Sequence, residues 1–191
     1  RYGHVRHDSP HPLDRYILAK TGELVSASTE TMDAHDLFGA AASVREFLDV
    51  LTNWYIRRSR DRFWAGDQDA IDTLHTVLET LTRLVAPLLP LTSESIYRGL
   101  TGARSVHLAD WPDRGSFPSD DELVAVMDEV RSVCSAALSL RKANARRVRQ
   151  PLRSLHVATP LAAGLGRFEA LIRDEVNVRS LTMSDDVGGV A

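Results

Sequence analysis

Residues 36–64, DLFGAAASVREFLDVLTNWYIRRSRDRFW, decide the fold class. Leu37, Ala40, Ala41, Val44, Phe47, Leu48, Leu51 and Tyr55 recur at helical spacing. On a helix that advances about 100° per residue, Val44, Phe47, Leu48, Leu51 and Tyr55 gather on one flank, the pattern of a stripe buried against other helices. The end of the stretch changes character. Asn53-Trp54-Tyr55-Ile56-Arg57-Arg58-Ser59-Arg60-Asp61-Arg62-Phe63-Trp64 carries four arginines and two tryptophans. If the helix continues, Asn53, Arg57, Arg60 and Trp64 fall within roughly 40° of one another on the flank away from the core. Arg58 and Arg62 fall on the core side, where they pair with carboxylates or reach past the end of the bundle.

The rest of the chain extends the helical pattern in both directions. Residues 1–12 hold His4, His7 and His11 with two prolines and a glycine. They read as an extended, solvated lead-in rather than a metal cluster, because no helix or carboxylate pattern fixes those side chains. A helix is expected over 13–32, with Ile17, Leu24 and Val25 among its apolar positions. After a turn at Gly66 and Asp67, Ile71, Leu74, Leu78, Leu81 and Val85 mark a third helix, which Pro87 and Pro90 disturb. A short helix over 92–100 should end near Gly102. Residues 102–118 are loop-like, with a short extended piece at 106–108.

Ser119 and Glu122 form a capping-box pattern ahead of Leu123, Val126, Val130, Val133 and Ala137. This fifth helix must stop before Pro151. Residues 152–159 and 176–183 then read as short strands around a helix at 161–174. The expected fold is mainly α. The lead-in at 1–12 precedes a bundle of four to five helices over 13–147, followed by a small β-α-β appendage with a flexible tail over 148–191.

Composition narrows the function classes. With 43% hydrophobic and 26% charged residues in a chain of 191, the protein lies near the soluble globular average and can bury a core without disulfides or metals. The lone Cys134 cannot bridge internally, which suits a reducing compartment, and cannot build a cysteine-ligated zinc knuckle. Neither a run of about 18 apolar residues nor a signal-peptide pattern is present, so no membrane partner is expected. The net charge of −3 argues against indiscriminate nucleic-acid binding. Yet of 23 basic residues only Lys20 and Lys142 are lysines. Arginine forks onto phosphate and stacks on bases. A genomic composition bias produces the same ratio, so the positions must carry the argument.

Two positions matter. The row Asn53, Arg57, Arg60, Trp64 offers an amide, two guanidinium groups and an indole to solvent, suited to phosphate contact and base stacking. It equally reads as a solubilising helix end, with Trp64 folded back as a cap. A second basic cluster, Arg141, Lys142, Arg146, Arg147, Arg149 and Arg153, is interrupted by no acidic residue. It suits a phosphate backbone, or a solvated helix end and turn. Enzyme signals are poor. His35, His75, His107 and His156 are scattered, and no P-loop or Gly-x-Gly-x-x-Gly occurs.

Several segments, in order, resemble the isoleucyl branch of the class I aminoacyl-tRNA synthetases. They are Leu13-Asp14-Arg15-Tyr16-Ile17-Leu18, the NWYIRRSR stretch of residues 53–60, and Leu84-Val85-Ala86-Pro87-Leu88-Leu89-Pro90 with Glu94-Ser95-Ile96-Tyr97. Ser105-Val106-His107-Leu108-Ala109-Asp110-Trp111-Pro112, Val148-Arg149-Gln150-Pro151-Leu152 and Asp174-Glu175-Val176-Asn177-Val178 follow. Together they cover nearly the whole chain. The resemblance implies a helical anticodon-binding bundle that holds the isoleucine tRNA, in a cytoplasmic, monomeric enzyme. The family's His-x-Gly-His and Lys-Met-Ser-Lys-Ser signatures are absent from these residues. The resemblance therefore implies no cofactor in this region, and places ATP and magnesium in a catalytic domain upstream. In methionyl relatives a tryptophan at a position similar to Trp64 stacks on an anticodon base. Arg15 and His35, at the start of the first helix and in the first inter-helix turn, are further tRNA-binding candidates. The equivalent region of a valyl or other class I enzyme, a helical protein-binding scaffold and a self-contained enzyme are the rival readings.

Overall fold

The computed structural model describes residues 3–186; the expected flexible tail beyond residue 186 lies outside them. The chain forms two compact units, Arg1–Asp120 and Asp121–Ala191.

The first unit is helical. Helix α1, Pro12–Asp33, opens with proline in its first turn and takes its cap from the ring nitrogen of His11, which accepts the Leu13 N–H at 3.2 Å. It buries Tyr16, Ile17, Leu18, Leu24 and Val25. It ends in a pair of bonds, Asp36 N–H to Thr31 O and His35 N–H to Met32 O, that place His35 at φ 59°. Helix α2, Leu37–Asp49, packs chiefly on α1. One partner covers only a narrow stripe, so Phe47 is buried, whereas Leu37 and Leu48, expected in the core, are exposed.

The expected continuous helix through residue 64 is interrupted. A π-helical segment, Val50–Ile56, follows α2, and the chain passes the buried Ser59 before the short helix α3, Arg60–Ala65. The widened turns bury Val50, Leu51, Trp54 and Tyr55 together. Gly66, in the left-handed region at φ 73°, ends α3, and Asp67 caps α4, Gln68–Val85.

Helix α4 departs from its expected stripe. Leu81 is buried, but Ile71, Leu74, Leu78 and Val85 are only half-buried, while Ala70, Thr73, Val77 and Leu84 lie inside. A further flank of α4, at Asp72 and Thr76, is covered by the lead-in. Its backbone is extended, as expected, but docked rather than solvated. Asp72 Oδ1 accepts the His4 N–H at 2.9 Å, and Thr76 accepts the Arg6 N–H at 2.8 Å and donates to Arg6 O at 3.0 Å. His7 packs edge-on against Phe117 with ring centroids 4.8 Å apart.

Helix α5, Pro90–Thr101, starts at proline and ends at Gly102, φ 71°. The piece at 106–108, expected to be extended, is a 3-10 turn instead, because Ser105 Oγ accepts the His107 N–H and closes it locally.

In the second unit, α6, Asp121–Ala143, buries Leu123, Val126, Met127, Val130, Cys134 and Ala137. Strands β1, Leu152–Ala158, and β2, Val178–Ser184, pair in parallel, with Leu152 opposite Val178 and Leu155 opposite Leu181. Parallel pairing requires a crossover, supplied by α7, Ala162–Leu165, and α8, Glu169–Val176. Leu165, Phe168, Ile172 and Val176 are buried there.

Candidate nucleic-acid interface

The arginine-rich segment does two jobs on two sides. On the inner side, Arg62 reaches the carboxylate of Asp14, which is completely buried. Nη1 donates to Oδ1 at 2.6 Å and Nη2 to Oδ2 at 2.7 Å, while Nε donates to Asp67 Oδ2 at 2.8 Å. Ser9 and Tyr55 hydroxyls donate to the same Asp14 carboxylate at 2.8 and 2.9 Å. Four donors thus surround one buried anion, the condition under which burying a charge is tolerated. Burial pushes the Tyr55 phenol pKa up, and the charge of Asp14 pushes it further. For Arg62, burial disfavours the cation, but the hydrogen bonds to Asp14 and Asp67 outweigh it and the guanidinium is held more firmly charged. The hydrogen bond from Arg62 in turn holds the Asp67 carboxyl below the usual range. The expectation that Arg62 meets carboxylates is met.

On the outer side, Asn53, Arg57, Arg60 and Trp64 are all exposed. The π-helical turn has not rotated any of them inward. Asn53 Nδ2 donates to Asp49 Oδ1 at 2.6 Å, and Arg57 Nε donates to Asn53 O at 2.8 Å, so these two side chains lie along the helix. Arg60 makes no ion pair among the described residues. Trp64 is 85% exposed, against 4% for Trp54 ten residues earlier. It does not fold back as a cap: Phe63 makes the inward contact instead, edge-on to Tyr55 at 6.1 Å.

The remaining candidates in this unit are placed separately. Arg15 is exposed and ion-paired with Asp120. His35 is exposed in the α1–α2 turn, where its left-handed backbone ends α1.

In the second unit Lys142, Arg146, Arg147, Arg149 and Arg153 are exposed. Arg141, expected among them, is instead 3% exposed. Its guanidinium donates to Arg147 O at 3.2 Å, Gln150 O at 2.9 Å and Asn177 O at 2.8 Å. Three carbonyls accept from the two Nη groups of the buried cation, while its buried Nε has no partner among the described residues, and Asn177 Nδ2 adds a bond to Val148 O at 2.8 Å. Arg141 therefore organises the turn that carries the others and does not form part of the exposed patch. Charge alone could not separate it from its neighbours; its position one and two turns along from the buried Ala137 and Cys134, on the same face of α6, was the available signal.

Among the described residues no three His, Cys, Asp or Glu side chains converge as a metal site, and no helix is long and apolar enough to cross a membrane.

The profile of a family described as the anticodon-binding domain of tRNA ligase matches residues 14–157. The chain is 57% identical over 185 residues to the isoleucine–tRNA ligase of Nocardia farcinica, covering 97% of this chain and 18% of that protein. It is 58% identical over 186 residues to the isoleucine–tRNA ligase of Corynebacterium efficiens, covering 96% of this chain and 18% of the relative. With the Mycobacterium tuberculosis isoleucine–tRNA ligase it shares 57% over 187 residues, 98% of this chain and 18% of the relative. The chain thus spans about a fifth of the length of these relatives. The match begins at the buried Asp14, takes in the whole exposed arginine row and reaches strand β1: this chain belongs to the anticodon-binding domain family of tRNA ligases.

Proposed function

We propose that this chain holds the anticodon stem and loop of isoleucine tRNA, as the noncatalytic part of a full-length enzyme that joins isoleucine to that tRNA at the expense of ATP. The observation that carries the reading is the exposed row Asn53, Arg57, Arg60 and Trp64. Its two guanidinium groups suit the phosphate backbone, and its indole is a platform for an unstacked base. The exposed Lys142, Arg146, Arg147 and Arg149 add a second, phosphate-directed surface; Arg15 and His35 are lesser contributors. Residues 13–147 are taken as the RNA-binding bundle and 148–191 as its appendage. ATP and magnesium are assigned to a catalytic domain outside these residues, because the His-x-Gly-His and Lys-Met-Ser-Lys-Ser signatures do not occur in them. The enzyme is taken to act as a cytoplasmic monomer.

Titration of the chain with isoleucine tRNA and with a noncognate tRNA tests the reading. Tighter binding of the isoleucine tRNA supports it. Equal or absent binding of the two overturns the recognition role.

A further inference from the structure

Outside the expected basic surfaces, the first unit carries a shallow notch of about 490 Å³ lined by Ser95, Arg98, Gly99, Gly102, Ala103 and Arg104. Ser95, Arg98, Gly99 and Gly102 stand at helical spacing along one flank of α5, and the chain leaving that helix brings Arg104 to the same notch. We propose that this notch is a phosphodiester-binding site that receives the RNA backbone away from the anticodon row.

Three observations converge. First, both guanidinium groups are available: Arg98 and Arg104 are exposed and make no ion pair among the described residues. An ion pair with Glu94, four residues before Arg98, is within helical reach but is not formed. The Glu94 carboxylate turns to the loop, accepting from Ser105 Oγ at 2.9 Å and from the Val106 N–H at 2.8 Å. Those contacts leave both arginines without an ion pair among the described residues, although the Glu94 carboxylate still feels the charge of Arg98. Second, the floor is bare backbone. A Cβ added at Gly99 or Gly102 would meet nothing within 4 Å, so a ligand can approach the main chain unobstructed. Third, the carbonyl end of α5, which would repel an anion, is partly satisfied: the Gly102 N–H caps Arg98 O at 2.9 Å. Two arginine forks and the Ser95 hydroxyl over an unobstructed floor match the donors and the access that a phosphate diester needs.

The inference rests on the RNA-binding reading, and the test separates the two. The 191-residue chain, its Arg98→Ala/Arg104→Ala variant and its Arg57→Ala/Arg60→Ala variant are titrated with isoleucine tRNA across a salt series, with melting curves as a folding control. Amide spectra are recorded with tRNA and, separately, with inorganic phosphate. The Arg98/Arg104 variant should melt like the parent and weaken binding of every tRNA alike. It should reduce the log–log salt slope by about 2, roughly one per phosphate contact. Added tRNA should move the Gly99 and Gly102 amide signals in the parent. An unchanged slope and affinity in this variant, with loss in the Arg57/Arg60 variant, overturns the notch and leaves the proposed function standing. Movement of the glycine amides by inorganic phosphate without any effect of the variant on tRNA also overturns it, assigning the notch to free phosphate. If the parent chain binds no tRNA, both readings fall.

Discussion

Arg62 closes a two-pronged hydrogen bond on Asp14, at 2.6 and 2.7 Å, across 48 residues of chain. This links the first turn of α1 to α3, and through Asp67 to the cap of α4. The exposed row and this inward anchor lie on opposite sides of the same arginine-rich segment.

Removing that anchor should be costly. Arg62→Ala leaves a fully buried carboxylate with only the Ser9 and Tyr55 hydroxyls, and breaking such a pair costs about 3–5 kcal/mol. Arg62→Lys keeps the charge but loses the fork, and should fall between the two. Urea unfolding of the three proteins checks the order; an Arg62→Ala midpoint equal to the parent's contradicts it.

The two tryptophans should behave oppositely. Trp54→Ala empties a core position and should cost about 3–5 kcal/mol. Trp64→Ala removes an exposed indole and should change the melting temperature little, while weakening tRNA binding by roughly 1–3 kcal/mol if a base stacks there. Trp64→Phe should recover part of that loss with the salt dependence unaltered. Melting curves alongside tRNA titration at two salt concentrations separate the effects, and normal tRNA affinity in Trp64→Ala removes the stacking role.

The basic residues of the second unit should divide in the same way. Arg146→Ala, Arg147→Ala and Arg149→Ala together should leave melting unchanged and lower the salt slope of tRNA binding by as much as about 3. Arg141→Ala takes one donor from each of three carbonyls, of which Arg147 O and Asn177 O keep a backbone donor, and should lower stability instead, by roughly 1–3 kcal/mol. Calorimetry with the salt series checks both. A destabilised triple variant would make those arginines structural.

Acid should loosen the lead-in. Burial lowers the pKa of His7 and of His11 from the ordinary 6.5, and the nearby Arg62 lowers His11 further. A depressed folded pKa means that the stability is complete above that ordinary value. It is lost as pH falls below it, because the unfolded chain takes up protons that the folded chain resists. For His11 the proton also removes the acceptor that caps α1 and places a positive charge at a helix N-terminus. His11→Asn keeps an N-cap without titrating, and should flatten the decline in melting temperature between about pH 6.5 and 5. A parent melting temperature that does not decline in that window counts against the assignment.

The helical class, the exposure of Asn53, Arg57, Arg60 and Trp64, the inward turn of Arg62 and the paired strands were all legible in the sequence. They depend on local periodicity, which stores the burial of each face in the order of the residues. Even the π-helical segment left the outer row exposed, although it broke the geometry from which the row was inferred. What the tertiary structure alone decided involves partners distant in the chain. The docking of residues 3–11 rests on Asp72 and Thr76, and it covers a flank of α4 that carries no apolar signal. Leu37 and Leu48 carry the same apolar signal as Phe47, and only the reach of α1 determines which of them is covered. Arg141 is chemically identical to Arg146, and what separates them is whether carbonyls from a returning chain surround the guanidinium before a ligand can. A one-dimensional pattern records hydrophobicity and charge at each position. Which buried cation is satisfied, and which flank is left uncovered, is set by contacts across dozens of residues.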